Sequence, residues 1–172
     1  MEPGADLMLL RPDGSEELLV KGGDGSITDP VVSLDGKWVF YVKIHNLIKA
    51  SQWNPPAAGA DIFKIHLKSR RIVRLTNQQF TPNLGAGDGA SDFRNASRKE
   101  NRKHHFAYGV YKMGPCPLPG GRVAFTSNRE GFKPSKGYPA VALQLFVMDD
   151  RDSDLPRNEA QPANIDKIGH LN

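Results

Sequence analysis

The sequence predicts an all-β protein: a partial β-propeller of about two and a half four-stranded antiparallel blades, a fragment of a larger propeller. Three observations predict it. Short β-branched and aromatic runs alternate with Gly, Pro and Asp turn signals. The runs recur in the same order, with a period of roughly 50 residues before insertions. Each full repeat holds four of them, the sequence form of a propeller blade.

The defining stretch is Asp29 to Ile44, DPVVSLDGKWVFYVKI, read as strand, tight turn, strand. Asp35-Gly36 supplies the turn: Gly accepts a positive φ, and Asp bonds its own backbone. Trp38 to Val42 has the composition of a buried strand. Pro115 to Arg129, PCPLPGGRVAFTSNR, can be laid over this stretch. The overlay places Pro30 opposite Pro115, Gly36 opposite Gly121 and Phe40 opposite Phe125.

Residues 1–25 read as the second half of a blade. Ala5 to Leu10 and Glu17 to Val20 are its strands, joined by Arg11-Pro12-Asp13-Gly14. Residues 26–77 read as a complete blade. After the defining hairpin and an irregular linker, Asp61 to Leu67 alternates, with Ile62, Phe63 and Ile65 on the apolar side and Lys64 and His66 between. Ile72 to Thr76 pairs back. Residues 78–108 depart from the period and form a basic insertion loop; loops this long without a strand pattern are usually functional or disordered. Residues 109–172 read as a second complete blade with an Asp-rich turn. In it Gln144 to Asp149 lies over Asp61 to His66, and also over Asp6 to Arg11, so Phe146 falls on Phe63 and on Met8. A blade buries its faces only against neighbours, so an open array leaves apolar faces at its ends. The partners expected first are therefore the remaining blades of a parent propeller.

At 172 residues, with 38% hydrophobic and 24% charged residues, the chain is globular in composition. No run approaches the ~18 apolar residues of a membrane span, so no membrane partner is expected. No signal peptide is visible, though the chain begins inside a repeat. The single cysteine, Cys116, rules out an internal disulfide, a Cys-x-x-Cys-His haem site and a four-cysteine zinc site. It matches Val31 in the overlay and is expected to be a small buried hydrophobe.

The motifs D-P-x-V-S-x-D-G-K (Asp29 to Lys37), D-I-F-x-I (Asp61 to Ile65), Q-L-F-V-M-D (Gln144 to Asp149) and R-x-T-N (Arg74 to Asn77) resemble the WD-like repeats of TolB-type β-propellers. A narrower likeness lies in Met113 to Phe132 and Leu143 to Asn172. These resemble the propeller domain of hydrazine synthase alpha-subunit-like proteins. That second resemblance implies a multihaem periplasmic oxidoreductase whose haems sit outside the propeller on Cys-x-x-Cys-His motifs. This chain has no such motif, so no haem role transfers to any residue here, and no cofactor is expected in it.

Candidate sites are few. The net charge of +4 is concentrated in one run, where Arg94, Arg98, Lys99, Arg102 and Lys103 face only Glu100. Such a run suits an acidic protein partner. Only Phe93 and Phe106 flank it, which disfavours nucleic acid, because the stacking platform is thin. The alternation Asp150, Asp152, Asp154 resembles the oxygen ligands of a calcium loop, without that loop's Gly and distal Glu. His104-His105 would point to opposite faces of a strand and so are poorly placed to share one ion. Gly85-Ala86-Gly87-Asp88-Gly89 lacks the Lys-Ser/Thr and the strand-to-helix context of a phosphate loop. No Ser-His-Asp or paired-carboxylate constellation assembles. The function expected is a non-catalytic scaffold or protein-interaction platform in a larger bacterial secreted or periplasmic protein. The alternative is the propeller domain of the multihaem oxidoreductase.

Overall fold

The computed structural model describes residues 3–48, 59–77, 110–129 and 143–150, with the backbone of 165–169. They form β1 (Leu7–Leu10), β2 (Glu16–Val20), β3 (Ser26–Val32), β4 (Trp38–Ile44), β5 (Ala60–His66), β6 (Ile72–Arg74), β7 (Lys112–Leu118), β8 (Arg122–Ser127), β9 (Gln144–Asp149) and β10 (Ile165–Gly169). Three sheets result: β1-β2, β3-β4-β5-β6 and β7-β8-β9-β10, each antiparallel and in chain order.

Turn chemistry sets the hairpins. Asp13 Oδ1 accepts from the Ser15 backbone N at 2.9 Å and Asp35 Oδ1 from the Lys37 N at 3.1 Å, while Gly14 and Gly36 follow at φ 82° and 70°. The inner strands β3 and β7 share a bulge whose first residue is left-handed: Asp29 at φ 51° and Gly114 at φ 58°. Pro30 and Pro115 follow, where a missing N–H costs no ladder bond. Asp29 Oδ2 accepts from the Gly114 backbone N at 2.9 Å, so the two bulges are tied together across the sheets.

Register corrects one expectation. Tyr41 pairs with Phe63, and Phe125 pairs with Phe146; both pairs stack, at 5.7 and 5.8 Å between ring centroids. Phe125 therefore stands where Tyr41 stands, not Phe40. The cause is the turn. The pair Val32↔Val39 encloses residues 33–38, whereas Pro117↔Val123 encloses only 118–122, one residue fewer.

The sheets pack face to face. Call the face towards the later sheet forward and the other back. On the second sheet Phe40, Val42, Ile44, Ile62 and Val73 are forward, and they bury Val123, Phe125, Phe146 and Met148, on the back of the third sheet. Its own back face, with Val39, Tyr41, Phe63 and Ile65, packs on Leu7, Leu19 and Val20 of the first. A strand buried on both faces has no polar side, and β5 is such a strand. Lys64, expected on a polar face, is buried between the second and third sheets. Cys116, expected in the core, is exposed. It pairs with Ala124 on the forward face of the third sheet, where no further described sheet packs.

Close backbone approach explains two glycines. A Cβ at Gly25 would lie 1.8 Å from the Ile44 carbonyl oxygen, and one at Gly22 would lie 2.3 Å from that of Ala5. Both glycines lie in the link from β2 to β3, which carries the chain from one sheet to the next.

Candidate functional site

Antiparallel order sorts the connections to two ends. The links 21–25, 45–59, 75–111 and 128–143 leave from one end; the hairpin turns lie at the other, where the chain also leaves β9. Three of the four long connections leave from the first end, which also holds the most highly charged buried site described.

Asp61, the second residue of β5, lies there and is fully buried. Oδ1 accepts from Thr76 Oγ1 at 2.7 Å and Lys112 Nζ at 3.0 Å. Oδ2 accepts from Arg74 at 2.7 Å and from His45 Nε2 at 2.8 Å. A carboxylate only accepts, so His45 carries its proton on Nε2. Burial alone would raise the Asp61 pKa; His45, Lys112, Arg74 and Thr76 outweigh it and hold the carboxyl well below the usual range. Burial pushes Lys112 down to about 8 against the pull of Asp61, with repulsion from Arg129 and Arg74 adding to the fall. Arg74 also donates to the Thr76 carbonyl at 2.9 Å and to Asn77 Oδ1 at 2.9 Å.

This arrangement has a clear chemical meaning. Each Asp61 oxygen already accepts two bonds and is far from protonation, so the group is poorly suited to act as a base or a metal ligand. It clasps the end of one sheet to the next: Lys112 opens β7, and beside it the Ala60 N donates to the Val110 carbonyl at 3.1 Å. Gln144, also buried, opens β9 at the corresponding place in the third sheet. The opposite end carries its own clasps. Lys64 Nζ lies 3.2 Å from Asp150 Oδ2 and 4.2 Å from the Trp38 ring centroid. Between the first and second sheets, Arg70 Nε donates to Glu17 at 2.8 Å, and Arg11 binds the same carboxylate.

Of the candidate metal, anion and partner-binding residues, Asp150 is the one described, and it is engaged by Lys64. Asp152, Asp154, His104 and His105 lie outside the described residues, as do Arg94, Arg98, Lys99, Arg102 and Lys103. β6 ends and β7 begins at the Asp61 end, so the chain departs for that basic run and returns from it there. Among the described residues no group of three or more His, Cys, Asp or Glu side chains could hold a metal ion. No described helix is long and apolar enough to cross a membrane. Sequence reasoning missed the Asp61 cluster, though its signal was present. Asp61 of D-I-F-x-I and Arg74, Thr76 and Asn77 of R-x-T-N are blade-motif residues, and the structure brings them together.

No family model matches the chain, and no curated protein does. Among solved structures it is similar to one titled "The structure of putative TolB from Agrobacterium tumefaciens", at 16% identity and a TM-score of 0.50. The match covers 94% of this chain and 40% of that one, so the chain spans less than half the length of its structural neighbour. Stacked antiparallel four-stranded sheets, an all-β chain and this neighbour together identify the fold: the chain is a partial β-propeller with a TolB-like architecture.

Proposed function

We propose that the chain is a non-catalytic propeller segment that serves as an interaction platform within a larger bacterial secreted or periplasmic protein. Its contact surface is the end from which the connections 45–59, 75–111 and 128–143 leave, and its partner there is an acidic protein. The observation that carries this reading is the sorting of charge by topology. The connections 45–59, 75–111 and 128–143 hold nine Lys or Arg against four Asp or Glu, and all three leave from one end. The sheets supply the base and the connections supply the surface, the usual division between scaffold and binding loops. The most buried carboxylate at that end is consumed in holding two sheets together, which supports a platform over a catalytic centre.

The test is binding of an acidic polypeptide, poly-glutamate, to the chain at low and high salt. The platform reading expects saturable binding that salt weakens, because exposed charges are screened over roughly 10 Å at 0.1 M ionic strength. It expects that replacing Arg94, Arg98, Lys99, Arg102 and Lys103 with Gln removes most of it. Binding unchanged by those substitutions contradicts the assignment. Cys-x-x-Cys-His motifs in the reading frame around this chain would contradict the non-catalytic role of the parent.

A further inference from the structure

Arg74 and His45 share one oxygen of the buried Asp61 carboxylate. Arg74 Nη2 lies 2.7 Å from Oδ2 and His45 Nε2 lies 2.8 Å from it. Their side chains are 34% and 26% exposed, whereas that of Asp61 is 0% exposed. Both also stand on one aromatic floor, the Phe63 ring. The Arg74 guanidinium carbon is 5.7 Å from its centroid, and His45 meets it edge-on at 6.4 Å. Phe63 and Asp61 thus hold the pair from within, and its exposed part lies at the end from which the connections 45–59 and 75–111 leave.

The bonds already made leave specific donors over. Arg74 gives Nε to the Thr76 carbonyl and Nη2 to Asp61 and Asn77, which fixes the guanidinium plane. Among the described residues no bond reaches its Nη1, which carries two N–H groups. His45 gives its Nε2 proton to Asp61, so Nδ1, on the far side of the ring, carries a lone pair when neutral and an N–H when protonated. A fixed guanidinium beside such a nitrogen suits a carboxylate, whose two oxygens take convergent donors.

The surrounding charge favours an anion. Lys112, fully buried, is repelled by Arg74 and Arg129 and drawn to Asp61. Lys43, the register partner of Asp61, adds a cation on the same face of the second sheet. Asp24, in the link that packs on the His45 backbone, turns its carbonyl there, to the Leu47 N at 2.7 Å, and is itself exposed. Among the described residues, Arg74, Lys112, Arg129 and Lys43 therefore gather around one buried carboxylate before His45 gains a proton.

We infer that Arg74 and His45, locked side by side by Asp61, form a seat for one side-chain carboxylate of the acidic partner, and that protonation of His45 on Nδ1 tightens it. Asp61 is a positioning residue: it holds the Nε2 proton, so the second proton enters at the nitrogen turned away from it. Neutral His45 meets the carboxylate with a lone pair; the imidazolium meets it with a donor and a charge. Histidine is the side chain whose ordinary charge change falls between about pH 5 and 8, so the seat links partner binding to mild acid. The inference rests on the acidic partner proposed above and adds residues of the sheets themselves to the basic run.

The test measures poly-glutamate binding to the full chain at about pH 6 and about pH 8, where the polymer's carboxyls, with an ordinary value near ~4.3, stay ionised. Affinity is expected to rise about threefold to fivefold on acidification. His45→Gln keeps an N–H for Asp61 and cannot titrate; it should melt close to the parent at the higher pH and lose most of the rise. Arg74→Lys keeps the charge, loses the fork and should bind about threefold more weakly than the parent at the lower pH. By reciprocity, adding poly-glutamate midway between the two pH values should move the His45 ring resonances towards their protonated positions. A parent that binds equally at both pH values overturns the inference. So does a rise kept in full by His45→Gln, binding unchanged by Arg74→Lys, or His45 resonances that stay in place. Each of these leaves the platform reading standing. A rise lost in His45→Gln, with the Gln substitutions in the basic run changing nothing, does the reverse: it upholds the seat and removes the run. No binding at either pH removes both.

Discussion

Asp61 in β5 and Lys112 in β7 lie 3.0 Å apart, fully buried, on different sheets. Removing either half has unequal consequences. Asp61→Ala leaves Lys112 buried beside Arg74 and Arg129 with its carboxylate gone; a loss of about 3–5 kcal/mol is expected for breaking such a pair. Lys112→Met leaves Asp61 with His45, Arg74 and Thr76, so a smaller loss is expected. Urea unfolding measures both. Equal losses would contradict the central place given to Asp61.

The same carboxylate makes stability depend on pH. Its folded pKa is depressed below the ordinary aspartate value of 3.8, so the unfolded chain binds the extra proton first. The contribution is present above pH ~4 and is lost as pH falls through the folded value. Melting temperature should drop steeply in acid for the parent and less so for Asp61→Asn. Parallel acid limbs would contradict the assignment.

Gly25 tests the link between the first two sheets. Any Cβ there meets the Ile44 carbonyl, so Gly25→Ala is expected to cost about 1–3 kcal/mol or more, as overpacking does. At Gly14 and Gly23 no atom lies within 4 Å of an added Cβ, and only the positive φ is strained. Gly14→Asn should therefore be mild, because Asn tolerates that region. Thermal melting of the variants compares them.

Asp150 links the sequence's calcium reading to the structure. With Lys64 Nζ at 3.2 Å, its carboxylate already has a cation. Millimolar calcium is therefore expected to leave the melting temperature of the parent unchanged. Asp150→Ala should destabilise it by removing a carboxylate that faces the buried Lys64, whereas Lys64→Met paired with Asp150→Leu should recover most of the loss. A calcium-induced rise in melting temperature would restore the metal reading.

Much of the fold was legible because strands announce themselves locally. Trp38 to Val42 and Gln144 to Asp149 are apolar runs bounded by turn residues, and both are strands. What was hidden depends on long-range placement. Lys64 looks solvent-facing in an alternating run, and only the third sheet buries it. Cys116 looks like Val31, but the face it lies on has no described neighbour. The Phe40-Phe125 overlay failed because the turn after β7 is one residue shorter than the turn after β3, and the Gly-containing motifs on either side look the same. The partners of Asp61 lie 13 to 51 residues away, beyond any local pattern.

One packing relation carries the fold: the third sheet's back face against the second sheet's forward face. Methyl NOE spectra test it most directly. Cross-peaks linking Val123 and Met148 to Val42, Ile44 and Ile62 are predicted, since all five belong to one buried cluster. Spectra in which Val123 and Met148 show contacts only within β7–β10 would contradict the stacked-blade arrangement.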